Sequence, residues 1–462
     1  MKRTIDKIKS IFNTALVLTM ILLLTSKSYS QTWSDVGGGF CNWAFASVVY
    51  NGELIVGGQM TCAGGVTINN IAKWNGTSWS PLGAGVNGKV WALAVYNGNL
   101  IAGGEFTQAG STQVMYLAKW NGTSWSDVNG DMGSIVSSLT VYNNHLIIGG
   151  YFTDADGFPA NHIVGYDGNG WFNLGSGMGG SQGQVMALGT YNGDLIAGGF
   201  FSTAGGATVN HIAKWNGTTW SSMGSGISGI VYSLGNYNSE LIAGGLFSNA
   251  GGVAASSIAK WNGTSWSALG SGIGPVPSGD KYVFSLAEYN GGLFAGGWYA
   301  TAGGIVANSI AKWDGANWTD LQGGVQYGGA NAFTVQALTV YNNDLYASGI
   351  FSSAGSVGAS SIAMWSEPPL TVNNLSGNAI HLENYPNPFS DQTQITYSLS
   401  KTGKIKIVVT DMAGRDVKVL LNENQNQGTY TVTLSGNQLS TGIYLLKLIS
   451  DSDMQTIKLT RH

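Results

Sequence analysis

Short apolar runs broken by Asn-Gly and Gly-Gly steps dominate the chain from Gln31 to Ser366. In one stretch, Val90 to Tyr96, Leu100 to Phe106, Tyr116 to Trp120 and Ser124 to Val128 read as four successive strands. Tyr96-Asn97-Gly98-Asn99-Leu100 turns the first into the second, and Asn121-Gly122 turns the third into the fourth. Asn and Gly both tolerate the positive φ of a tight hairpin, which makes this dipeptide a strong turn signal. The runs do not alternate cleanly. Leu100-Ile101-Ala102-Gly103-Gly104 is apolar or small on both faces, the pattern of a sheet covered on both sides.

The four-strand pattern repeats. Tryptophans fall in pairs: Trp74 with Trp79, Trp120 with Trp125, Trp215 with Trp220, Trp261 with Trp266 and Trp313 with Trp318, while Tyr166 with Trp171 makes a sixth pair. Trp33 is a second member without a first, and Trp365 a first member without a second. The second members, Trp33, Trp79, Trp125, Trp171, Trp220, Trp266 and Trp318, are spaced 46, 46, 46, 49, 46 and 52, which makes seven units. Such units predict an all-β fold, a seven-bladed β-propeller over residues 31–366. The lone strand at Trp33 is expected to complete the last blade beside Trp365, removing the edges an open array exposes. Paired glycines such as Gly57-Gly58 and Gly103-Gly104 are expected to let neighbouring sheets approach closely. The order of hydrophobic, Gly-Gly, aromatic and Trp strands resembles kelch-type propellers and the repeats of fungal cortical polarity markers over about residues 33 to 366. That resemblance implies a fold and says almost nothing about a ligand.

The two ends of the chain differ from the repeat. Lys2, Arg3, Lys7 and Lys9 precede a mostly apolar stretch from Ile11 to Ser26, and Ser28-Tyr29-Ser30 offers small residues for cleavage before Gln31. Residues 1–30 therefore read as a signal peptide, the apolar run being short of the roughly 20 residues that span a bilayer. An oxidising destination bears on the two cysteines. With Asn51-Gly52 as a hairpin loop, Tyr50 faces Glu53, and counting outward sets Cys41 opposite Cys62, within disulfide range. The alternative is a reactive or metal-binding pair, for which no other Cys and no His in that unit completes a site.

Beyond Trp365 the composition shifts. Residues 367–383, with Pro368-Pro369 and several Asn, read as a linker. Residues 384–462 read as a small C-terminal Ig-like β-sandwich, its strands marked by Ile395, Tyr397 and Leu399, by Ile405, Ile407 and Val409, by Tyr430, Val432 and Leu434, by Ile443 to Leu448, and by Ile457 and Leu459. Asn384-Tyr385-Pro386-Asn387-Pro388-Phe389, Asp411-Met412-Ala413-Gly414, Gly428 with Tyr430, Gly442-Ile443-Tyr444 and Lys458-Leu459 follow in an order that resembles the type A C-terminal sorting domain of type IX (Por) secretion cargo. The resemblance implies a sorting role for Asn384, Tyr385, Pro386, Asn387, Pro388, Phe389, Gly414, Gly442 and Tyr444. It also implies passage through the outer-membrane secretion translocon of a Gram-negative cell, removal of the domain, and either surface lipopolysaccharide attachment or release.

Charge narrows the chemistry. Between Gln31 and Ser366 there are 7 Lys, no Arg and 15 acidic residues, so no basic patch for nucleic acid or phosphate can be assembled. The Gly-Gly steps lie between strands and not before helices, so they fail as phosphate loops. His162 and His211 hold the same repeat position in adjacent units, too far apart to share one Zn. Asp154-Ala155-Asp156-Gly157 offers two carboxylates where Ca²⁺ takes about six to eight oxygens. Asp35, Asp127 and Asp320 read as charges that discourage edge pairing. Lys73, Lys119, Lys214, Lys260 and Lys312 read as rim cations beside aromatic faces. Asn75-Gly76-Thr77 reads as turn chemistry more than as a glycosylation sequon.

No cofactor or metal is implied, and no paired carboxylates or base with nucleophile can be nominated for catalysis. The tight turns share one face of the predicted propeller. The long segments of the other face, Ser271 to Lys281 and Gln322 to Phe333, are the expected ligand surface, with Asp280, Tyr282, Gln326, Tyr327 and Asn331 as candidates. Their aromatic and amide side chains suit a glycan, with a protein ligand open. The expected function is a secreted binding or adhesion module, and the alternatives are a polysaccharide-active enzyme or a structural surface protein.

Overall fold

The computed structural model describes residues 31–180, 182–327, 334–367, 381–399, 401–411, 415–450 and 454–461. The expected signal peptide and most of the expected linker lie outside these residues. The chain forms two compact units, residues 1–369 and 370–462. Both are built from strands, and the one helical segment among the described residues is a single 3₁₀ turn, Gly436–Gln438.

The first unit contains seven antiparallel sheets with a four-strand path. The second sheet is representative: Lys89–Tyr96, Asn99–Glu105, Leu117–Trp120 and Trp125–Ser126. Its first strand begins one residue earlier than the pattern predicts, and its fourth is only two residues long. The first turn is tight because Asn97 and Gly98 take φ of 46° and 73°. At the other turn Asn121 Oδ1 accepts from the backbone N–H groups of Thr123 and Ser124, each at 2.9 Å. An Asn at this position thus folds its own turn. Between second and third strands, where the pattern suggests only a loop, the chain makes a small hairpin, Gln108–Ala109 with Thr112–Gln113. Its strands are too short to leave a periodic signal.

The seventh sheet joins the two ends of the unit. Thr32–Asp35 pairs with Ile362–Ser366, setting Trp33 opposite Trp365 with ring centroids 5.1 Å apart. Each sheet's first strand touches that of the next, and the last, Thr334–Tyr341, touches the first, Phe40–Tyr50. Seven apolar clusters lie between successive sheets, one of them joining Tyr341, Tyr346 and Ile362 to Val36, Phe40, Trp74 and Trp79. The first glycine of each pair explains the close approach: a Cβ on Gly57 would stand 2.5 Å from Val90 Cγ1 of the next sheet. The second glycine serves its own sheet, since a Cβ on Gly58 would meet the Trp43 carbonyl. Where the seventh sheet meets the first, Ser348 stands where other sheets have the first glycine, and Ala44 stands where the second sheet has Val90. The larger residue is matched by a smaller one, which holds the packed volume nearly constant.

Hydrogen bonds repeat across the seams. Tyr50 Oη donates to the Gly98 carbonyl at 3.2 Å, and Tyr341 Oη to that of Gly52 at 3.1 Å. Glu367 fastens the end of the unit. Its nearly buried carboxylate receives Lys312 Nζ at 2.7 Å and Trp365 Nε1 at 3.1 Å, and its backbone N–H donates to Tyr289 Oη.

In the second unit, His381–Tyr385, Gln392–Leu399 and Gly428–Ser435 form one sheet. Asp416–Gln425, Gly403–Thr410, Gly442–Ser450 and Met454–Arg461 form another, and Ile395, Tyr397, Ile407, Leu446, Leu448 and Leu459 share one core. The strand His381–Tyr385 begins inside the stretch expected to be linker, its polar sequence having hidden it. Asp416–Gln425 is likewise an edge strand, with Val417 and Val419 exposed and a polar second half from Asn422 to Gln425.

The seam between the seventh sheet and the first is expected to carry as much stability as an internal one. Trp33→Ala and Trp125→Ala should each cost about 3–5 kcal/mol in urea unfolding, the usual cost of emptying a buried aromatic site. Tryptophan fluorescence reads only the first unit, because no Trp follows Trp365. A Trp33→Ala variant as stable as the parent would contradict a load at the seam.

Candidate functional site

In every sheet the pairing of first and second strands slips by one residue. Ala44 faces Gly58 and Ala46 faces Gly57, leaving Phe45 unpaired. The same slip leaves out Trp91 and Ser137 in the next two sheets. It leaves out Met186, Tyr232, Phe284 and Gln336 in the remaining four. A β-bulge re-aims the extra side chain out of the ladder. All of these bulged residues line one cavity of about 300 Å³, together with Glu105, Ile135 and Tyr151.

The cavity is aromatic with a neutralised acid. Phe45 stacks on Trp91 at 4.3 Å and 18°, and the exposed Trp43 lies 6.5 Å from Phe45. Tyr232 packs against Phe284 at 5.4 Å. Glu105 Oε1 accepts from Trp91 Nε1 at 2.9 Å, while its other oxygen pairs with Lys89 Nζ at 3.0 Å, and that ammonium also lies 5.5 Å from the Trp91 ring centroid. Burial, and then the Glu105 charge, raise the Tyr151 phenol above its ordinary pKa. Burial, then Tyr282 and Tyr151, do the same for Tyr232. Both phenols therefore stay protonated near neutral pH and serve as hydrogen-bond donors or acceptors.

Of the residues expected to bind, Tyr282 reaches this cluster. Its ring stacks on Phe284 at 5.4 Å and on Trp298 at 5.7 Å. Asp280 is half-buried in the preceding loop, accepting from Ser278 Oγ at 3.3 Å. Gln326 lies on the short strand Val325–Gln326, and Tyr327 beside it is 43% exposed. None of these three lines the cavity, and Asn331 lies outside the described residues. The bulged residues were missed because a bulge has no local compositional signature. One signal was available: Trp43, Trp91 and Trp298 are the three Trp outside the repeat positions, and all three gather here.

Other candidates resolve into structure. Cys41 and Cys62 are cross-strand partners joined by a disulfide, with Cα atoms 5.0 Å apart. Four of the repeated lysines form ion pairs, where aromatic contact was expected: Lys73 with Glu53, Lys214 with Asp194, Lys260 with Glu240 and Lys312 with Glu367. Lys312 also lies 5.4 Å from the Phe294 ring. Asp35 and Asp320 each accept a backbone N–H three residues on, at 2.7 and 2.8 Å, so they cap turns more than they guard an edge. His162 and His211 sit at φ of 63° and 62°, matching Asn70 and Ser257 in other sheets. Each Nδ1 is buried without a hydrogen-bond partner. Among the described residues no three His, Cys, Asp or Glu side chains gather as metal ligands.

In the second unit the Asn-Pro motif secures the last strand. Asn387 Nδ2 donates to the Lys458 carbonyl at 2.8 Å, and its Oδ1 accepts from Thr460 N–H at 2.9 Å. Asn384 Nδ2 donates to Thr393 Oγ1, and the Asn387-Pro388 bond is cis, between an exposed Pro386 and a buried Phe389. Tyr385 and Gly442 lie on strands, Tyr444 Oη donates to the Ser440 carbonyl, and Gly414 falls outside the described residues.

Residues 383–460 match the family of secretion system C-terminal sorting domains. The protein is thus cargo of type IX secretion, bound for the cell surface or the medium, and its C-terminal unit engages that machinery. No curated protein matches the chain in sequence. Solved structures with some likeness include PorZ, described as an essential bacterial surface component of the type-IX secretion system of Porphyromonas gingivalis. It is 14% identical with a TM-score of 0.38, and the likeness covers 89% of this chain and 64% of that one, so this chain spans less than two thirds of its length. Another is a glycoside hydrolase family 43 arabinoxylan arabinofuranohydrolase from Bacillus subtilis, solved with cellotetraose, 11% identical with a TM-score of 0.23 over 92% of this chain and 94% of that one. At such scores neither likeness assigns a fold or a function.

Burial lowers the pKa of both His162 and His211 below the usual imidazole value. A base whose folded pKa is depressed stabilises the fold fully above the unfolded pKa, near 6.5, and loses that contribution as pH falls below it. Stability of the first unit should therefore decline as pH drops from about 6.5. The double variant His162→Asn, His211→Asn, with residues that accept the same backbone, should flatten the decline in urea midpoints measured against pH. An unchanged slope would remove these imidazoles from the account.

Proposed function

We propose that the seven sheets are the blades of a closed β-propeller of kelch-like strand order, exported as a binding or adhesion module whose ligand is a glycan. One observation carries the reading: a bulged residue from the first strand of every sheet meets in a single cavity. On a propeller that cavity lies on the axis, with Tyr282 beside it on a first strand and the segments that hold Asp280, Gln326 and Tyr327 leading toward its entrance. Rigid strands then present the ligand contacts, and loops over them add selectivity.

Binding is favoured over hydrolysis by the acid inventory. Glycosidases use two carboxylates flanking the scissile bond. Among the described residues Glu105 is the single carboxylate in the cavity wall, and it is held by Lys89 and Trp91. Residues 1–30 act as the signal peptide, and the part of the expected linker between Glu367 and His381 acts as a tether. The sorting domain is removed on export, and the module is then attached to surface lipopolysaccharide or released.

A glycan array probed with the purified full-length chain tests the proposal. Binding of a defined glycan class, reduced about tenfold or more by Tyr282→Ala, is the expected result, a loss within the range of one apolar pocket contact. Turnover of a polysaccharide, or no retained glycan, would overturn it.

A further inference from the structure

The order of the sheets gives the cavity two aromatic walls. Successive first strands touch in chain order and the last touches the first, so the order around the cavity follows the chain. The first and second sheets, carrying Phe45 and Trp91, therefore lie across from the fifth and sixth, carrying Tyr232 and Phe284. Between the walls, Ser137 and Met186 occupy one side and Gln336 the other. Phe45 and Trp91 lie face to face on one wall, Tyr232 stands edge-on to Phe284 on the other, and the polar atoms around them belong to Glu105, Tyr151, Tyr232, Ser137 and Gln336.

Charge removes one group of ligands. Glu105 is neutralised by Lys89, whose ammonium is committed to that carboxylate and to the Trp91 face. No free cation from these residues remains to hold a phosphate or carboxylate, and a bound cation would compete with Lys89. The ligand that fits is neutral, apolar on two faces and polar around its edge. At about 300 Å³ the cavity sits at the small end of ligand sites, so it takes a terminal residue and not a long segment of chain.

Resting on the glycan-binding reading above, we propose that the cavity selects a terminal pyranose whose substituents are all equatorial, held between the two aromatic walls. In a β-gluco-configured ring the axial C–H bonds point to both faces and every hydroxyl lies on the rim. C–H groups then meet aromatic faces on both sides, and the hydroxyls meet Ser137, Gln336 and Glu105. An axial hydroxyl at C4 or C2 would be pressed against a ring face without a partner, and an unpaired polar group in a buried site is costly.

The test titrates the full-length chain with methyl β-D-glucopyranoside, methyl β-D-galactopyranoside, methyl β-D-mannopyranoside and adenosine, read by saturation-transfer NMR and tryptophan fluorescence. The gluco compound should bind at least about tenfold more tightly than either epimer, in line with discrimination by a single misplaced polar group. Saturation should reach H1, H3 and H5 on one face and H2 and H4 on the other. Phe284→Leu, which keeps bulk but removes the flat face, should weaken binding about tenfold while the urea midpoint stays near the parent value. Gln336→Leu should do the same from the polar side. Equal affinity for the epimers, tighter binding of adenosine, or array glycans whose affinity ignores both variants would overturn the cavity assignment while leaving a glycan-binding module standing. An array that retains no glycan would overturn both.

Discussion

The indole N–H of the fourth-strand tryptophan ties six of the seven sheets to the one before. Trp79 Nε1 donates to the Val36 carbonyl, Trp125 to Leu82, Trp220 to Leu174, Trp266 to Met223 and Trp318 to Leu269, at 2.8 to 3.1 Å. These carbonyls belong to buried residues that follow the preceding sheet, where an unpaired C=O would be costly. Trp33 makes the same bond to Leu321 at 2.8 Å across 288 residues of chain, so the last seam repeats the chemistry of the others. Trp171 is the exception, its Nε1 buried with no acceptor and its ring only half-buried.

That regularity is what makes the irregular positions useful. Apolar packing lies between sheets, and the first strands have little room for large side chains there: Ala92, Ala187 and Ala337 directly follow their bulges. A bulge frees one residue per strand from this packing and turns it toward the shared cavity. The wall can therefore differ at every position, from Phe45 to Ser137 to Gln336, while the seams stay nearly identical. Scaffold and recognition are encoded at different positions of one repeat.

The Trp spacing made the sheets and their closing pair legible, because each indole has one place to go. Counting outward from Asn51-Gly52 paired Cys41 with Cys62 even though the hairpin contains two irregularities. Phe45 is extra on one strand and Thr61 on the other, so the two offsets cancel. The Asn384 to Phe389 motif was legible through its resemblance to a sorting domain, and in the structure the Asn387 side chain holds the last strand. The cavity was not: a bulge changes which way a residue points without changing what the residue is, and the long loops drew the expectation toward Asp280 and Tyr327. Trp43, Trp91 and Trp298 pointed the other way, as tryptophans with no place in the repeat. The small hairpins were illegible for another reason, since two-residue strands such as Gln108–Ala109 carry no period.

Hydrogen exchange at the indole N–H groups, followed by NMR on the full-length chain, tests the proposed closed arrangement most directly. If the last seam is equivalent to the internal ones, Trp33 exchanges as slowly as Trp79, Trp125 and Trp266. Exchange of Trp33 at the rate of an exposed indole, with the internal tryptophans still protected, would contradict a ring held shut by its own ends.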